Sequence, residues 1–193
     1  MSTIRSTTTR EPVIDLPHAP EEFPGALRDV ALVLFAIGSS RTSGPAQLLD
    51  RHAHVLDRLG SFRCVRSALL IGGPSPSSTI AELRKPVFIV PMMMCTGWIW
   101  STQIPGALGL ACGAVANGPP SVHLCDPVGQ RAELAGLLAA RGCGAARRHG
   151  LNPADTTLLL AAHGTDRDQG SQHATELHAA QLRRAGVFGA VQT

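Results

Sequence analysis

Residues 29–67 read DVALVLFAIGSSRTSGPAQLLDRHAHVLDRLGSFRCVRS, and residues 155–193 read DTTLLLAAHGTDRDQGSQHATELHAAQLRRAGVFGAVQT. Aligned at a constant offset of 126 with no gap, the two stretches agree at fourteen of 39 positions. Chance would give about three or four in a chain of this composition. The identities include Asp29/Asp155, Leu32/Leu158, Gly38/Gly164, Arg41/Arg167, Gly44/Gly170, His52/His178 and Gly60/Gly186. A period this long points to a duplicated domain and not to a solenoid. The second copy is expected to be incomplete, since it holds one strand and one helix. A full second unit at the same offset would carry the chain to about 280 residues.

Within the first copy, Val30–Ile37 is a continuous apolar run closed by Gly38, the pattern of a strand buried on both faces of a parallel sheet. Ala46–Leu59 has helical spacing (Leu48, Leu49, Ala53, Leu56, Leu59), opened by Pro45 and closed by Gly60. Further along, strands are expected at Cys64–Ile71, Val87–Met92 and Val122–Cys125. Helices are expected around Thr79–Arg84, over Ile104–Ala116 and over Pro127–His149, the last with Leu134, Leu137, Leu138 and Ala145 on one face. After a linker at Gly150–Ala154 the pattern restarts with a strand over Thr157–His163. Alternating β and α elements imply a parallel sheet with right-handed crossovers. Ligands of such sheets bind beyond the carboxyl ends of the strands, so the residues just after each strand matter most.

Composition narrows the classes. The 193 residues are 44% hydrophobic and 16% charged, which fits a buried α/β core. A formal charge of +3 without any Lys/Arg run argues against a nucleic-acid partner and fits an anionic small molecule. The five cysteines (Cys64, Cys95, Cys112, Cys125, Cys143) contain no C-x-x-C pair and read as reduced, mostly buried residues of a cytoplasmic protein. Residues 1–28 form a leader rich in Ser, Thr and Pro, with no apolar h-region. The stretch Pro86–Cys125 carries no charge, but Pro, Gly and polar residues interrupt it too often for a membrane span.

Three strand-end motifs could carry chemistry: AIGSSR at 36–41, AHGTDR at 162–167, and VFIVPMMMCTGWIWSTQIP at 87–105. Together with the duplication they resemble the ATP-independent sirohydrochlorin chelatase family, the cobalt or iron chelatases of cobalamin and sirohaem synthesis. In that family a strand of the type LLLxxHGS opens each unit, and a VVPxFLxxGxHxxxxIP segment comes later. The resemblance covers about residues 29–193. It implies a chelatase-like three-layer α/β fold with a four-stranded parallel sheet, plus the first β-α unit of a second copy. Residues 29–150 form the first domain in this reading, and residues 151–193 begin the second.

The resemblance also implies a planar tetrapyrrole as substrate, a divalent metal (Co²⁺ or Fe²⁺) as the second substrate, and no nucleotide. Histidine suits the task, because neutral imidazole binds such metals and gives them up to the macrocycle. It also takes up protons near neutral pH. His163 stands at the motif position and is the implied metal ligand and catalytic residue. Trp98 is implied along the tetrapyrrole, and Gly38, Gly164, Arg41 and Arg167 near its carboxylates, at helix N-termini. The chain departs from the pattern at Ile37 and Ile99, which occupy the positions of the first unit's two histidines. Isoleucine can neither bind a metal nor move a proton.

Other candidates read as structural. Met92–Cys95, taken as strand, would alternate its side chains and fall to core packing. Trp98 and Trp100 fit either a tetrapyrrole face or an inter-unit contact. His52 and His178 occupy matched helix positions and read as solvated or packed faces. His173 and His178, five apart, are not placed to chelate. The Ser- and Gly-rich loop after Ile37 has no G-x-x-x-x-G-K-[ST], and so no phosphate-loop signature. The last helix carries Leu177, Leu182 and Val187, which need cover. The segment is therefore expected either to form a homodimer through residues 157–191 or to stay mobile.

Overall fold

The computed structural model describes residues 27–84, 86–108, 122–164 and 169–193. Its centre is β1 (Ala31–Gly38), flanked by β2 (Cys64–Ile71) and β3 (Val87–Pro91), with β4 (Val122–Leu124) beyond β3. All pairings are parallel and the strand order is β2-β1-β3-β4. The apolar run of β1 is buried from Ala31 to Phe35 because both faces of the sheet are covered. Leu32 and Leu34 pack on Leu49 and Ala53 of α1 (Gly44–Arg58). Ala31, Val33 and Phe35 face the other way, towards Ile80, Ile104 and Leu108. Ile80 belongs to α2 (Pro76–Ala81), while α3 (Trp98–Thr102) and α4 (Ile104–Ala107) complete that layer.

Several boundaries differ from expectation. The helix foreseen at Thr79–Arg84 begins earlier, at Pro76, where the Ser75 side chain accepts from the Ser78 backbone N–H and supplies the cap. The expected Ile104–Ala116 helix is described only as α4, since residues 109–121 lie outside the described set, as do Cys112 and Arg167. The expected Pro127–His149 helix is interrupted. A 3₁₀ turn at Val128–Gln130 precedes α5 (Glu133–Arg148), with Arg131 extended between them. Among the described residues no helix is long and apolar enough to cross a membrane.

The repeat region forms β5 (Thr157–Leu159), α6 (Gly170–Ala185) and β6 (Ala190–Gln192). Ala31 pairs with Cys64 in the first sheet and Thr157 with Ala190 in the second, and α1 and α6 start at Gly44 and Gly170. Each of these equivalences is the same 126 residues apart that the sequence alignment gives. The second sheet is the smaller. Its β5 stops at Leu159, short of the expected His163, because its only described partner, β6, is three residues long. Leu159 is 66% exposed, whereas Val33, its counterpart in β1, is fully buried between β2 and β3.

Of the expected stripe on the last helix and the turn after it, only Leu182 is buried. Leu177 and Val187 remain exposed, whereas Ala174, His178, Ala179 and Leu182 are buried. The cover comes from the chain itself. Ala135, Leu138, Ala139 and Cys143 of α5 pack with Ala179, Leu182, Phe188 and Val191. Apolar area removed from water at about 25 cal/mol per Å² makes this small core the main tie between the two sheets.

Candidate functional site

Beyond the carboxyl ends of β1, β3 and β5 lies a cavity of about 500 Å³. That size lies within the ordinary range of small-molecule sites. One wall comes from the four-stranded sheet: Ile37 at the end of β1, Met93 to Cys95 after β3, and Gly97 to Ile99 at the start of α3. The opposite wall is Ala161, Ala162 and His163 after β5, with Ser171, Ala174, Thr175 and His178 of α6. Those four α6 residues follow i, i+3, i+4, i+7 spacing, so they share one helix face. Among the described residues, none of the lining side chains carries a carboxylate, an ammonium or a guanidinium.

The cavity sorts the candidate residues. His163 and Trp98 line it, as do Ile37 and Ile99. The His163 backbone carbonyl accepts a hydrogen bond from the Ser171 hydroxyl (3.0 Å), which ties the end of β5 to the first turn of α6. Arg41, Gly38 and Gly164 are not among the lining residues. Arg41 is exposed, and its backbone N–H donates to the Ser39 hydroxyl. Gly38 has a packing role: at φ 79°, a Cβ there would lie 2.0 Å from the Ile71 carbonyl oxygen, so only glycine lets β1 and β2 end this close together. Trp100 packs against the core beside α3, unlike Trp98.

Two lining features were not expected from the sequence. The strand ends at Pro91, so alternation does not govern Met92–Cys95, and Met93, Met94 and Cys95 all reach the cavity instead of the core alone. His178 is 2% exposed, which agrees with the packed one of the two faces expected for it, and it also lines the cavity, which was not expected. Its Nε2 lies 2.6 Å from the Gly129 carbonyl oxygen. Gly129 in turn donates its N–H to the Met93 carbonyl (2.8 Å). A Cβ on Gly129 would meet the Met94 backbone at 2.2 Å, which is why glycine stands there. One short turn thus holds the sulfur-bearing loop on one side and the α6 imidazole on the other. Nearby on the sheet, burial pushes the Cys125 thiol pKa up; the Asp126 charge adds to this and Arg131 opposes it.

A parallel sheet covered on both faces, with an apolar cavity and imidazole at its carboxyl edge, defines a chelatase-like α/β protein. The sequence profile of the CbiX family matches residues 31–144. This chain belongs to the CbiX family. A probable sirohydrochlorin cobaltochelatase of Halobacterium salinarum is 28% identical over 180 residues, covering 84% of this chain and 61% of the relative. Among solved structures, DR2241 of Deinococcus radiodurans is described as a multi-domain protein with structural similarity to chelatases. It superposes with a TM-score of 0.66 at 25% identity, over 86% of this chain and 39% of that one. The structure of CbiX, described as the terminal enzyme for biosynthesis of siroheme in denitrifying bacteria, gives 0.64 at 29% identity, over 85% and 67%. The chain therefore spans about three fifths of the length of its curated relative.

Proposed function

We propose that this protein presents a divalent metal, Co²⁺ or Fe²⁺, to a sirohydrochlorin-like tetrapyrrole and inserts it, in cobalamin or sirohaem synthesis. The observation that carries the reading is convergence. His163, Trp98 and the two positions where relatives place histidine (Ile37 and Ile99) come from separate parts of the chain and line one cavity. In this reading the ring plane lies against the apolar wall, with Trp98 along its face. His163 offers an imidazole lone pair to the metal and can accept a proton displaced from a pyrrole nitrogen. Arg41 and Arg167 are the basic residues that would serve the substrate carboxylates, with no nucleotide involved. The matched strand registers support reading residues 29–150 as one chelatase-like unit and residues 151–193 as the beginning of a second. Absence of a C-x-x-C pair fits work in the cytoplasm.

The test is spectroscopic. Sirohydrochlorin mixed with Co²⁺ and the full chain should show a metal-dependent absorbance change that His163→Ala abolishes. An unchanged rate in that variant removes His163 from the mechanism. A second reading, a tetrapyrrole- or metal-binding homologue that does not catalyse insertion, draws on Ile37 and Ile99, which leave the first unit's wall without an imidazole. It is favoured if the macrocycle binds with a spectral shift and Co²⁺ then changes nothing.

A further inference from the structure

We propose that His178 supplies, through Nδ1, a nitrogen donor for the metal in the cavity that His163 also lines. The proposal rests on the metal-handling reading above and adds a residue outside every motif that carries it.

The geometry starts from Gly129. A carbonyl oxygen has no hydrogen to give, so Nε2 of His178, 2.6 Å away, is the donor and carries its hydrogen in either protonation state. In the neutral ring Nδ1 is then a bare lone pair. That atom is buried, and among the described residues no hydrogen-bonding group meets it. Leaving a buried acceptor without a partner costs about 1–3 kcal/mol, and such atoms are rare enough to require a reason. A ligand that accepts electrons from Nδ1 resolves the orphan. The arrangement is also the one that ligating histidines show: one ring nitrogen binds, and the other donates to a backbone carbonyl that fixes tautomer and ring orientation.

The donor set indicates which metal. Imidazole nitrogens with Met93, Met94 and Cys95 on the facing wall suit Co²⁺, Fe²⁺ or Zn²⁺. Mg²⁺ and Ca²⁺ require oxygen ligands, and the described lining residues offer them no carboxylate. Among the described residues no three His, Cys, Asp or Glu side chains stand together to cage an ion. An ion held by two imidazoles exchanges readily, as a transferable substrate must.

Three measurements on the full chain test this. In ¹⁵N-labelled protein, adding Zn²⁺ as a diamagnetic probe should shift the Nδ1 resonance of His178 while Nε2 stays protonated, and Mg²⁺ should leave both unmoved. Co²⁺ binding, followed by visible absorption without any tetrapyrrole, should weaken at least about tenfold in His178→Gln. That variant retains a side-chain N–H able to reach Gly129 but has no imidazole lone pair. His52→Ala, altering the exposed repeat counterpart on α1, should bind Co²⁺ like the wild type. An Nδ1 resonance unmoved by saturating Zn²⁺, or wild-type Co²⁺ affinity in a folded His178→Gln, overturns the proposal. Metal binding that depends on His178 in a chain unable to metallate sirohydrochlorin would retain the donor and remove the chelatase reading. Normal metallation by His178→Gln with unaltered Co²⁺ affinity would do the reverse.

Discussion

Replacing Leu182 by Ala tests whether the repeat segment is fastened to the first unit. Leu182 is 2% exposed and sits among Ala135 of α5, Ala179, Phe188 and Val191. Leu→Ala at buried sites costs about 3–5 kcal/mol, the higher values where neighbours cannot close the gap. Closure is hindered here: a Cβ on Gly142 of α5 would lie only 2.7 Å from the Phe188 ring, so the helix already rests on that side chain. A loss in the upper half of that range is therefore expected. At about 2–4 °C per kcal/mol for a chain of this size, the melting temperature should fall by roughly 8–20 °C. Calorimetry gives the total, and hydrogen exchange gives its distribution. Protection should drop in α5 as well as in α6, because each covers the other. A loss below about 1 kcal/mol, or one confined to α6 with α5 unaffected, would refute the claim that they form one packed body.

Gly129→Ala should destabilise by roughly 2 kcal/mol or more, since its Cβ must displace the Met94 backbone, and should weaken Co²⁺ binding through the lost His178 anchor. Gly136→Ala, a helical position with open space around it, should instead stabilise by about 0.5–1 kcal/mol; paired thermal melts decide both. Cys125 should resist alkylation at neutral pH. Its raised pKa keeps thiolate scarce, so residue-resolved labelling should rise only above the pH where an ordinary thiol, near about 8.5, already reacts. The same sign means that Cys125 lowers stability as pH climbs past that ordinary value, because the unfolded chain then releases its proton first.

What could be read in advance was whatever local pattern encodes. The apolar run of β1 forecast a strand buried on both faces, and Pro45 with Gly60 bracketed α1 to within a residue or two. The offset of 126 matched Thr157 to Ala31 and Ala190 to Cys64, yet the second copy was expected to hold one strand and one helix, and β6, which pairs with β5 as β2 pairs with β1, was missed because only three residues of it form the strand. His163 and Trp98 were nominated by motif and do line the cavity. His178 was not, for a physical reason. Its partner is a carbonyl 49 residues away, and helical periodicity compares a histidine only with neighbours on its own helix. The methionine run was misjudged because alternation was assumed past Pro91, where the chain leaves the sheet. Leu177 and Val187 were assigned to a buried stripe that α5, approaching from another angle, does not touch.

The repeat also explains why the cavity is chemically one-sided. Ile37 and His163 are the same position in two copies, each just past its strand's core, yet one offers hydrocarbon and the other an imidazole. Ile99 and Trp98 extend the hydrocarbon side, and His178 extends the nitrogen side. On the proposed reading, a flat macrocycle gains most by placing a face on the hydrocarbon of Ile37, Trp98 and Ile99, where burial is favourable. Its central nitrogens would then look across at the imidazoles. In that reading, a metal held at the imidazoles would face the ring directly, with the Met93, Met94 and Cys95 sulfurs on the wall beyond it. On the same proposed reading, isoleucine at positions 37 and 99, where the chelatase motifs have histidine, need not abolish the chemistry, since it leaves a stacking surface opposite His163 and His178.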